Sequence, residues 1–113
     1  MRAVFQHAQA SQSYDEKADV FSFAINLWEL ATRRVPYAGM SSAEIVQAVT
    51  ERGYRPSLEH VDPGCPPSLL ALIEWCWQQD PSERPPFGAV IRKLTKISRE
   101  FQRASYAPVG SKR

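Results

Sequence analysis

Two cysteines, Cys65 and Cys76, and two histidines, His7 and His60, are the only thiol and imidazole groups in the chain. A structural zinc site takes its Cys and His ligands in closely spaced pairs, and no four-ligand pattern can be written from these four. Nucleophilic catalysis by either thiol needs a His/Asp partner set, and none is legible. Two cysteines are too few for a disulfide framework, so both read as free thiols in a reducing, cytoplasmic setting. Charge is distributed unevenly. From Pro86 onward Arg92, Lys93, Lys96, Arg99, Arg103, Lys112 and Arg113 face Glu100 alone, a net of +6, which leaves −4 on the first 85 residues. A basic last helix on an acidic body reads first as a solvated face, with contact to an anionic membrane or nucleic acid as the alternative. The overall charge of +2 is too small to imply nucleic acid as a partner. Two further residues hold interest: Asp19, at the head of a long apolar run, and Arg84, inside Asp80-Pro81-Ser82-Glu83-Arg84-Pro85.

These residues need a frame to position them. A chain of 113 residues that is 43% hydrophobic makes one small domain with a real core. No apolar run approaches the length of a membrane span, and residues 1–7 contain no signal-like stretch. Residues 1–13 are polar and carry no period, and are expected to be irregular. Ser13 with Glu16 has the spacing of a capping box, with Asp15 as an alternative cap, and predicts a helix from Asp15 to Thr32. Val20, Phe21, Phe23, Ala24, Ile25, Leu27, Trp28, Leu30 and Ala31 point all round that helix, the pattern of one packed on several sides. Arg33 and Arg34 suit its C-terminal end, and Pro36 stops it.

Ser41 with Glu44 opens a second helix, ended near Arg52 by Gly53. A Pro- and Gly-rich loop, 53–66, follows. Pro67 suits the first position of a third helix, with Leu69, Leu72, Ile73 and Cys76 on one face and Asp80-Pro81 as its end. Pro85-Pro86 opens a fourth, where Phe87, Val90, Ile91, Leu94, Ile97 and Phe101 recur at three- and four-residue steps to about Arg103. Residues 104–113 read as a flexible tail. The expected fold is all-α: a partial bundle of four helices, with a buried central helix, over residues 14–103.

Three blocks of wording go beyond periodicity. Tyr14-Asp15-Glu16-Lys17-Ala18-Asp19-Val20-Phe21-Ser22-Phe23-Ala24, followed by Leu27-Trp28-Glu29-Leu30, resembles the central large-lobe helix of eukaryotic protein kinases. Val35-Pro36-Tyr37-Ala38-Gly39-Met40 is similar to the turn after it. Cys76-Trp77-Gln78-Gln79-Asp80-Pro81-Ser82-Glu83-Arg84-Pro85-Pro86-Phe87 matches the family's C-W-x-x-D-P-x-x-R-P-x-F signature. The wording leans toward the tyrosine-kinase and tyrosine-kinase-like branches, the latter acting mostly on Ser and Thr. The resemblance covers the C-terminal part of the large lobe only.

The resemblance implies transfer of the ATP γ-phosphate to protein hydroxyls, with magnesium, by the complete domain. No glycine-rich loop, H-R-D or D-F-G occurs in these 113 residues, so no catalytic, nucleotide or metal ligand is assigned here. Asp19 is then either the helix aspartate that holds the catalytic loop or a plain first-turn aspartate. Arg84 is either the buried partner of a glutamate at the end of the activation segment, where Ala3 stands, or an arginine bonded to Asp80 or Glu83. Trp28 and Trp77 read as core, and Trp75 as partly exposed. Asn26 either finds a partner or faces absent upstream structure. Tyr37, Ile45, Val46 and Val49 form a possible docking surface for a protein substrate or regulatory protein, or simply complete the bundle. The expected function is that of a kinase-domain fragment, inactive by itself; the alternative is a stand-alone helical interaction module or a degenerate kinase remnant.

Overall fold

The computed structural model describes the backbone of residues 2–105 and the side chains of residues 15–103. Among the described residues it contains helices and no strand: α1 (Arg2–Thr32), α2 (Ser42–Arg52), α3 (Pro67–Cys76), a single 3-10 turn (Pro81–Glu83) and α4 (Phe87–Ser105). The all-α architecture agrees with the sequence reading. The tail beyond Ser105 lies outside the described residues.

The start of α1 differs from expectation. The helix begins at Arg2 and runs for 31 residues, so the stretch expected to be irregular has helical backbone and position 13 is not a helix start. Glu16, assigned to that cap, does a longer-range job. Its Oε1 accepts from the backbone N of Phe87, the first residue of α4, at 2.9 Å. A carboxylate there satisfies one of the four orphan donors of a helix N-terminus and complements its dipole. One residue on, the Lys17 ammonium donates to the carbonyl of Arg84. Two successive residues of α1 thus fasten the segment that launches α4.

Burial along α1 is one-sided, although its composition is not. Val20, Ala24, Ile25, Leu27, Trp28 and Ala31 are buried, while Asp19, Ser22, Asn26, Glu29 and Leu30 are exposed. The inward face packs on Leu72, Ile73, Cys76 and Trp77 of the α3 region and on Val90 and Ile97 of α4. Phe23 meets Phe87 edge to face, with ring centroids 6.0 Å apart, the arrangement that aromatic quadrupoles favour. The expectation of a helix covered on several sides therefore holds for one side only: Leu30 is 77% exposed.

The ends of the elements follow local chemistry. The Ser41–Glu44 capping box closes in both directions, at 3.2 and 3.1 Å. Gly53 ends α2 in the left-handed conformation, φ 64°, where a Cβ would be strained. Pro67 opens α3. Asp80 caps the 3-10 turn, accepting from both the backbone N and the hydroxyl of Ser82. The 53–66 loop is tied down by Trp28 Nε1, which donates to Ser57 O at 2.8 Å, and by Asp62 N, which donates to Ala31 O at 3.0 Å.

Candidate functional site

Three clamps tie the end of α2 to the segment that follows α3. Gln79 Nε2 donates to the carbonyls of Val49 (3.0 Å) and Thr50 (3.1 Å), two of the last carbonyls of α2 that the helix cannot satisfy itself. Gln79 Oε1 accepts from Arg55 Nη2 at 2.7 Å. Arg55 Nε in turn donates to Trp77 O at 2.8 Å. The chain after α3 is therefore stitched to the chain after α2. Ala48, the buried residue of α2, is small enough to let that helix sit close to its neighbours.

The resulting groove, about 360 Å³, lies between α1 and α2. Its walls include Phe21, Ile25 and Asn26 of α1 and Tyr37, Ile45, Val46 and Val49. All four residues singled out as a docking surface thus line one concavity. Ile45 and Val49 are half-buried and Val46 is 61% exposed, so the groove is apolar and open. Tyr37 adopts φ 56°, an uncommon conformation for a bulky side chain, and its ring lies 6.0 Å from that of Tyr54. Burial pushes the Tyr37 phenol up from its ordinary range, with the charge of Arg55 opposing. The phenol is therefore neutral at physiological pH.

The three residues expected to support the core, Asp19, Trp28 and Arg84, fall in different settings. Trp28 is in the core, 4% exposed, with its indole N–H satisfied. Asp19 is exposed and its carboxylate makes no hydrogen bond to a described residue. It shares its outward stripe with Ser22 and Asn26, at steps of three and four residues. Arg84 is half-buried and its guanidinium donates to three carbonyls: Gln78 O at 2.7 Å, Lys17 O at 3.0 Å and Gln79 O at 3.3 Å. It also lies 4.9 Å from the centre of the Phe21 ring. Asp80 accepts from the backbone N and hydroxyl of Ser82 and also feels the positive charge of Arg84. The Ala3 side chain lies outside the described residues.

Sequence reasoning passed over Arg55, Phe21 and Gln79. Arg55 places its guanidinium carbon 4.8 Å from the centre of the same Phe21 ring that Arg84 approaches. Desolvation draws the Arg55 pKa down, and the nearby Arg84 charge adds to that. The only sequence hint was a lone arginine before a proline in the 53–66 loop. Its contacts lie 22 and 24 residues away, beyond any local pattern.

A second, larger concavity of about 520 Å³ opens between α1, the loop after α2, and α4. Leu27, Leu30, Leu69, Leu94, Ile97 and Phe101 line it. Cys65 sits at its edge and Cys76 in the core; burial raises both thiols, Cys76 to about 11. Neither is a thiolate at neutral pH, which is the form that reacts. Among the described residues no group of three His, Cys, Asp or Glu side chains could hold a metal ion. No described helix is long and apolar enough to cross a membrane.

The central helix, the turn after it and the arginine-bearing turn before α4 define a class. Residues 6–94 match the family model described as protein tyrosine and serine/threonine kinase, and the chain belongs to that family. It is 42% identical over 94 residues to the Dictyostelium discoideum "Probable serine/threonine-protein kinase drkD", covering 83% of this chain and 7% of that protein. It is 42% identical over 87 residues to the Arabidopsis thaliana serine/threonine-protein kinase STY17, 77% of this chain and 15% of that protein. It is 42% identical over 83 residues to the Arabidopsis thaliana serine/threonine/tyrosine-protein kinase HT1, 74% of this chain and 20% of that one. The chain thus spans no more than a fifth of the length of these relatives and is a partial kinase domain.

Proposed function

We propose that these residues serve as the scaffold and docking part of a kinase large lobe in the cytoplasm. Phosphoryl transfer from magnesium-ATP to protein Ser or Thr, as the relatives' names suggest, belongs to the complete domain. The observation that supports this most is the open face of α1. Asp19, Asn26 and Leu30 stand outward on the helix that is otherwise the core, which suits a surface on which further structure packs. Asp19 on that face is placed to accept hydrogen bonds from an added loop, and Arg84 serves by holding the segment before α4 against α1. Tyr37, Ile45, Val46 and Val49 present an apolar groove for a protein substrate or regulator.

Calorimetric titration of the 113-residue chain with magnesium-ATP tests the first part. No saturable heat and no autophosphorylation are expected; saturable micromolar binding would overturn the assignment of these residues to scaffold alone. The groove itself favours a second reading, a self-sufficient interaction module. Dye binding and sedimentation separate the two. A dye-positive or self-associating chain supports the partial-lobe reading, and a sharply melting, dye-negative monomer supports the module.

A further inference from the structure

The outward side of α4 carries Arg92, Lys96, Arg99 and Arg103 at steps of four, three and four residues, which sets them in one row. Shallow depressions flank the row. One, about 320 Å³, is lined by Ile91, Arg92, Thr95, Lys96, Arg99 and Arg103. The other, about 250 Å³, is lined by Trp75, Ala89, Arg92, Lys93 and Lys96. Arg92 and Lys96 belong to both, and neither lining contains a carboxylate. All five cations are exposed. Ile91, 62% exposed, borders one depression, and Trp75, 39% exposed, borders the other.

We propose that this face of α4 binds the anionic surface of a phospholipid bilayer. The headgroup phosphates lie against the cation row, and Ile91 and Trp75 enter the boundary between headgroups and acyl chains. A nucleic-acid backbone would also attract the cations, but it gains little from an exposed isoleucine. An anionic bilayer rewards the charge and the apolar flanks together. The row from Arg92 to Arg103 extends about 16 Å along one helix, a length suited to a flat partner. Charge asymmetry orients the approach, because the basic segment from Pro86 carries +6 and the rest of the chain −4.

The test is sedimentation of the full chain with vesicles of phosphatidylcholine, with and without phosphatidylserine. Binding is expected only with phosphatidylserine present and is expected to weaken as salt is raised. Each basic residue near such a surface contributes about fivefold, so the triple variant Arg92→Gln, Lys96→Gln, Arg99→Gln should bind on the order of a hundredfold more weakly. Should that variant alter the circular dichroism, the single Lys96→Gln, expected to lose about fivefold, replaces it. Ile91→Ser should weaken binding without changing its salt dependence, and Leu30→Ser, on the far groove, should leave it unchanged. Equal binding to neutral vesicles would overturn the proposal. So would loss through Leu30→Ser, wild-type binding by the glutamine variants, or tighter binding to single-stranded RNA than to the anionic vesicles at the same salt.

Discussion

Leu27 and Leu30 stand three residues apart on α1 and carry the same side chain, yet they should respond to truncation very differently. Leu27 is 9% exposed and packs in the cluster with Trp28 and Ile73; Leu30 is 77% exposed. Replacing leucine by alanine removes three carbon groups, each worth about 0.8 kcal/mol when buried, or about 2.4 kcal/mol at Leu27 before any cavity term. Measured truncations of this kind run to about 2–5 kcal/mol. Leu27 also borders the open 520 Å³ concavity, so part of the vacated space joins solvent and a value near 2–3 kcal/mol is expected. At Leu30 only about a quarter of the side chain is covered, which leaves about 0.5 kcal/mol, offset by the better helix propensity of alanine. Urea melts of both variants, followed by circular dichroism at several protein concentrations, measure the difference. Leu30→Ala should also lower hydrophobic-dye binding. A loss above about 1 kcal/mol at Leu30 would show that the outward face of α1 is covered in solution rather than open.

Other expectations follow from single contacts. Ser41→Ala should cost about 1 kcal/mol in the same melts, because it breaks the reciprocal cap of α2. Arg84→Lys should cost about 2 kcal/mol in thermal or urea melts, since an ammonium cannot span the carbonyls of Lys17, Gln78 and Gln79 as the planar guanidinium does. The carboxyls of Glu44 and Asp80 are drawn below their ordinary range by hydrogen bonds to Ser41 and Ser82. Their contribution to stability is thus complete at neutral pH and is lost as pH falls below the usual carboxylate range through the depressed values; a melt series that gains stability on acidification would contradict it. In the native chain Cys65 should react with a disulfide reagent well before Cys76, whose thiol is fully buried and raised to about 11. Equal rates would show that the α1–α3 core opens freely.

The elements with local causes were legible in the sequence. The Ser41–Glu44 box, Gly53, Pro67 and Pro85-Pro86 act on backbone groups within a few residues, so their spacing placed both ends of α2, the start of α3 and, to within two residues, the start of α4; α3 ends at Cys76, ahead of the expected Asp80-Pro81. The motif wording carried the family, because the Trp28, Tyr37 and Arg84 segments keep both residue types and spacing. What failed were inferences that needed a partner. Ser13–Glu16 has the spacing of a cap, but helical backbone continues through it, and Glu16 serves the N-terminus of α4, 71 residues away. Composition made α1 look apolar all round, yet composition says nothing of which neighbours arrive to cover each side. α3 and α4 cover one side, and Leu30 stays in water. Tyr37, Ile45, Val46 and Val49 were identifiable by type, but the groove they line exists because Gln79 and Arg55 hold α2 in place, through contacts 22 to 30 residues long in sequence. Hydrogen bonds closed within one turn are fixed by neighbouring residues. Contacts between elements depend on how packed surfaces bring distant residues together, and only the tertiary structure decides that.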